Sequence, residues 1–169
     1  MRVPWTAVLG GTVVAAVGAA GLIRGAMPQS LASGPSGSAS SAAGPIAITN
    51  PYVRAPVPPS RTAAAYFTIY NTTGTADRLL DVVTGAGADA VLHTLLPNGT
   101  MVVDPNGLRV PAHATVTLST GKGHVMIEGV YGTLKPGQTV NLELDFQNAG
   151  PVDVVAPVIA VGAPAPGGH

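Results

Sequence analysis

The chain has 169 residues, 8 basic and 8 acidic, with no cysteine, 22 glycines, 16 prolines and an apolar share of 46%. Balanced charge and the lack of a basic cluster argue against a nucleic-acid partner, and so much apolar content at zero net charge argues against a disordered chain. The missing cysteines exclude a disulfide scaffold, a zinc–thiolate or blue-copper centre, a thiol nucleophile and a lipid-modified cysteine within these residues.

Residues 1–24 come first. Val3 to Ile23 is an uncharged apolar run closed by Arg24, which fits either a secretory signal or a membrane span of about 20 residues. The run is long for a signal and shows no clean small-residue cleavage site, so cleaved signal and retained anchor both stand, and either one exports the rest. Residues 25–45 hold the stretch PQSLASGPSGSASSAAGP, which cannot bury enough apolar surface to offset the entropy of ordering and reads as a flexible tether. Residues 161–169, ending GAPAPGGH, have the same character and are expected to form a loose tail.

Between these flanks, residues 46–160 carry short β-type runs separated by Gly, Asn, Asp and Pro. Strands are predicted at 46–53, 63–70, 78–83, 90–96, 100–103, 115–118, 124–128, 139–145 and 152–157, with no helix. Alternation is clearest in VNLELDF, where Val140, Leu142, Leu144 and Phe146 face one way and polar groups the other. So many short strands in one domain predict an all-β sandwich or small barrel. Asn98-Gly99 is the strongest hairpin signal, and Pro136-Gly137 marks another turn.

Chemistry-bearing side chains are few in that domain. Its histidines are His93, His113 and His124, and its methionines are Met101 and Met126. His124 and Met126 are two apart on a predicted strand, so they project from one face. His93 ends a strand before the hairpin and Met101 follows it, so pairing can bring them together. Two imidazoles and two thioethers suit Cu(I) better than zinc, magnesium or calcium. The competing reading is plain packing, since methionine often fills cores and a lone sheet histidine is often structural.

The segments AAAYFTIYN, DRL, VLH, GLRVPA, VTL, GHVMI and LKPG occur in that order between residues 46 and 158. Together they resemble the periplasmic copper chaperone family PCuAC, also called DUF461. The resemblance implies a cupredoxin-like β-sandwich that binds one Cu(I) through a His, Met, His-x-Met pattern. It implies delivery outside the cytoplasm to a cytochrome c oxidase subunit or another copper-accepting protein. Carried over, the metal ligands are His93, Met101, His124 and Met126. Seven residues separate His93 from Met101, fewer than is usual in the family, so the hairpin is shortened, and Leu95 stands where many members carry a further methionine.

His113 is expected in an exposed turn, and Glu128 and Asp104 at the surface. No G-x-S-x-G elbow or P-loop context occurs, so catalysis is not expected. The leading expectation is an exported copper chaperone, with a metal-free adhesion module and a copper storage or resistance protein as its rivals.

Overall fold

The computed structural model describes residues 44–167. The apolar run from Val3 to Ile23, most of the tether, and His169 lie outside the described residues. Among the described residues no helix is long and apolar enough to cross a membrane.

Ten strands follow one another: β1 (Ile46–Arg54), β2 (Ala63–Asn71), β3 (Asp77–Val83), β4 (Asp89–Leu95), β5 (Met101–Val103), β6 (Leu108–Val110), β7 (Thr115–Thr117), β8 (Gly123–Glu128), β9 (Thr139–Phe146) and β10 (Gly150–Ile159). They hydrogen-bond in the order β5-β4-β8-β2-β1-β10-β9-β3-β6, with β7 also on β2. The pairings are antiparallel apart from β1 with β10, where Val53 lies opposite Val158. That parallel seam joins first strand to last, and the sheet curls so that both halves turn one face inward. The result is the expected all-β, cupredoxin-like architecture.

The inward faces follow the two-residue period of a strand. In β9, Val140, Leu142, Leu144 and Phe146 are buried while their neighbours are exposed, as the alternation predicts. They meet Ile46, Ile48, Val53, Phe67 and Ile69 from the other half in one core with Leu79, Val125 and Ile127. β6 was not foreseen, and only Val110 of its three residues is buried. Asn71, itself fully buried, donates to Val110 O and Thr75 O and accepts from the Thr73 backbone N–H, so its polar atoms are satisfied inside the sheet.

Two local features set which residues face outward. In β1, Thr49 pairs with Thr68 but Tyr52 pairs with Tyr66, so one extra residue is inserted at Asn50, whose φ is 50°. Such a bulge reverses the parity of everything after it. Ile46 and Ile48 point inward before it and Val53 after it, leaving Tyr52 on the outer face. At the β4–β5 turn, Leu96 N–H donates to Thr100 O and Gly99 N–H to Leu96 O, with Gly99 at φ 81°. This is the hairpin expected at Asn98-Gly99, with the glycine in the left-handed position that a side chain disfavours.

Candidate metal centre

β4 and β8 pair antiparallel, and their register places His93 directly opposite His124. On β4 the core takes Ala90 and Leu92, so Val91, His93 and Leu95 face outward. On β8 the core takes Val125 and Ile127, so His124 and Met126 face outward and are half-buried. Core packing of one face therefore presents both imidazoles on the other. Their rings stack at 5.2 Å between centroids, 11° from parallel.

Nδ1 of His93 lies 3.2 Å from Val91 O. A carbonyl can only accept, so this bond holds a proton on Nδ1 and leaves Nε2 of the neutral ring with its lone pair. A backbone carbonyl orienting one nitrogen in this way is how metal-binding imidazoles are commonly fixed. The His124 ring makes no hydrogen bond among the described residues. Burial, and after it the charge His93 would carry, hold His124 below the usual imidazole value of 6.5. Both effects favour the neutral ring that a metal requires.

Met126 is two residues along from His124 on the same face, flanked by Val91 on β4 and Ala64 on β2. Neither neighbour is bulky enough to cover the thioether. Met101 is also half-buried and shares the outer face, but it pairs with Leu95, so it lies diagonal to His93 on the edge strand. Met101 and Met126 thus lie on opposite diagonals of the His93–His124 pair. Two strand spacings and four residues of rise separate their Cα atoms, about 16 Å in regular sheet geometry. Position 103, directly opposite His93, is valine. The structure therefore brings His93, His124 and Met126 together and leaves Met101 farther out.

Aromatic rings continue the histidine row across the sheet. The Tyr66 ring lies 6.1 Å from His124 and 5.0 Å from Tyr52, and Arg54 sits 5.6 Å over Tyr52. Tyr52 and Tyr66 were not singled out from sequence, and the bulge at Asn50 is what puts Tyr52 in this row. Among the described residues no three His, Cys, Asp or Glu side chains converge. Two imidazoles with a thioether two residues along on the same face are a soft donor set.

Of the other residues considered, His113 is exposed in a turn at φ 49°, with its N–H donating to Thr73 O. Glu128 is exposed, and the Asp104 carboxylate accepts from Asn106 N–H at a turn. Beside Met126 and His124 a cleft of about 310 Å³ opens between the Ala55–Thr62 loop and the outer face of β2.

Residues 46–158 match the family described as "Putative lipoprotein LpqE-like". The chain belongs to the LpqE-like family, and its domain is of the PCuAC (DUF461) type. It is 31% identical over 98 residues to "Putative lipoprotein Lxx21020" of Leifsonia xyli subsp. xyli, a match covering 56% of this chain and 59% of that one. Among solved structures it resembles a copper-bound PCuAC domain from PmoF2, at TM-score 0.63 and 26% identity, over 72% of this chain and 97% of that domain. It also resembles the solution structure of CuI-DR1885 from Deinococcus radiodurans, at TM-score 0.55 and 32% identity, over 68% and 79% of the two chains.

Proposed function

We propose that this chain is an exported copper chaperone that carries one Cu(I) on the outer face of β4 and β8. The observation that carries the reading is the direct opposition of His93 and His124, with Met126 next along on the same face. The likeness to a copper-bound PCuAC domain and to CuI-DR1885 supports it independently.

His93, His124 and Met126 form the nearest donor set. Met101 is the fourth donor and comes in from the edge, through movement of the three-residue β5 and its hairpin toward His93. Two neutral imidazoles and one or two thioethers leave the ion with its single positive charge, which favours a half-buried apolar setting over a charged one. Such donors hold Cu(I) without locking it in. Softer anionic donors on a recipient, such as the copper-accepting subunit of cytochrome c oxidase, take it by replacing them in turn. The chain acts as a carrier and not as an enzyme. Export rests on the apolar run Val3 to Ile23 and agrees with the lipoprotein names of the relatives, although no cysteine within these 169 residues can bear a thioether-linked lipid.

The test is an anaerobic Cu(I) competition titration with a chromophoric chelator, followed by X-ray absorption on the loaded chain. One ion bound, lost in a His124→Ala, Met126→Leu double variant that keeps its fold, is the expected result. No Cu(I) binding by the unsubstituted chain would overturn the proposal, and absorption reporting a single sulfur would remove Met101 from the set.

A further inference from the structure

The cleft beside the candidate centre is asymmetric with respect to its donors. His124 and Met126 line it, but neither His93 nor Met101 does. Its floor is low because Ala64, opposite Met126, has only a methyl group. Its wall is the proline-rich loop that carries Val57, 54% exposed, and Ser60. Of the residues lining it, only Arg54 carries a formal charge at neutral pH, and it is a cation. Arg54 Nη1 donates to the carbonyls of Val161 and Ala163, which fixes that charge at the rim. The next carboxylates along this face, Asp89 and Glu128, lie opposite each other in register two residue pairs beyond Val91 and Met126.

Resting on the copper reading above, we propose that this cleft is the port through which a copper-accepting protein inserts a cysteine thiolate. Met126, and then His124, are thereby the first donors to leave. A cleft of this volume admits one or two side chains on a short segment. The anionic sulfur meets two positive charges there, the Arg54 guanidinium and the bound Cu(I), in surroundings of reduced dielectric. The exchange is free of redox change. The bond from Cu(I) to the incoming Sγ forms, the bond to Met126 Sδ breaks, copper remains Cu(I), and the thiol proton passes to water. His93, on the far side of the pair, holds the ion until the second acceptor thiolate arrives. A thiolate is a softer and stronger donor to Cu(I) than a thioether, which sets the direction of transfer.

The experiment follows Cu(I) by stopped flow from the loaded full chain to the dithiol peptide acetyl-Gly-Cys-Gly-Gly-Cys-Gly-amide. Ser60→Trp fills the cleft from its wall while every proposed donor stays in the sequence, and Val57→Trp is a second blocker should the first disturb the loop. Either should slow transfer at least tenfold while Cu(I) affinity, measured by chelator competition, stays within twofold. Val103→Trp, beside His93 on the other side, should leave the rate within twofold, and Arg54→Gln should slow transfer several-fold at unchanged affinity. Wild-type rates in both wall variants, or equal slowing by Val103→Trp, would overturn the port. A normal rate in Arg54→Gln would overturn the thiolate as its occupant. These results differ from failure of the copper reading itself, in which the unsubstituted chain binds no Cu(I).

Discussion

Replacing Met126 with leucine separates the metal role of this residue from a packing role. The substitution keeps the apolar bulk and removes the sulfur. Met126 stands outside the buried core, half-buried between Val91 and Ala64. Volume-conserving swaps even within cores cost less than about 1.5 kcal/mol, so the loss here should be below about 1 kcal/mol, a fall in Tm of about 4 °C or less. Affinity should respond far more. Removing a partner that only supports a ligand already costs about 10–100-fold in metal affinity, so deleting a donor should cost at least about 100-fold, or about 2.8 kcal/mol. Met101→Leu should cost less than Met126→Leu, because Met101 lies on the far diagonal and reaches the ion only when the hairpin moves. The assay pairs anaerobic Cu(I) competition with urea unfolding of the metal-free chain. A Met126→Leu protein with unchanged affinity and about 2 kcal/mol less stability would show that the thioether is packing. A larger affinity loss in Met101→Leu than in Met126→Leu would refute the diagonal geometry.

Three further outcomes follow from the same structure. Because burial first and the charge of His93 second hold His124 below 6.5, the unfolded chain takes up a proton there that the folded chain refuses. Stability of the metal-free protein should therefore fall as pH drops from 6.5 toward the folded value and be insensitive to this group above 6.5. An NMR titration of the His124 ring checks this, with His93→Ala moving its midpoint upward; a midpoint at or above 6.5 in the unsubstituted chain would contradict it. Gly107 sits at φ 74°, and a Cβ there would run into the carbonyl of Leu79, so Gly107→Ala should cost at least about 2 kcal/mol in a urea melt, whereas Gly85→Ala, with open space around it, should cost under about 1 kcal/mol. The Asp77 carboxylate, buried at the start of β3, accepts from the backbone N–H groups of Arg78, Asn148 and Ala149. Asp77→Ala strands those donors and should lower stability by about 3 kcal/mol, readable as loss of order at the β9–β10 turn in hydrogen exchange.

Where a strand alternates over several residues, the sequence reading needs nothing from the rest of the molecule, which is why β9 and the β4–β5 hairpin were legible. β6 was not, because a run of three between Gly107 and Pro111 is too short to show a period, and it is held as a strand by β3 and by the Asn71 side chain. The aromatic row escaped notice for a different reason. Counted by twos from Ile46, Tyr52 should lie inside, and only the inserted residue at Asn50 turns it out onto Tyr66. The signal was present in the Asn-Pro step within the first strand, but it reads equally well as a strand end. The cleft was beyond reach, since it depends on a small side chain at position 64 facing a loop whose path is set by tertiary contacts.

The His93–His124 pair shows most clearly what local pattern can and cannot supply. His124 and Met126 share a face by periodicity alone, but nothing local says that β8 pairs with β4, or that residues 31 positions apart meet as direct partners. That register is enforced from the opposite face, where Ala90 and Leu92 pack into the same core as Val125 and Ile127. A slip of β8 by one residue would turn His124 and Met126 into the core and expose Val125 and Ile127, at a cost of several kcal/mol in lost burial. The core thus fixes the geometry of donors it never touches. For that reason substitutions at His93, His124 and Met126 can remove chemistry while leaving the fold that presents it intact.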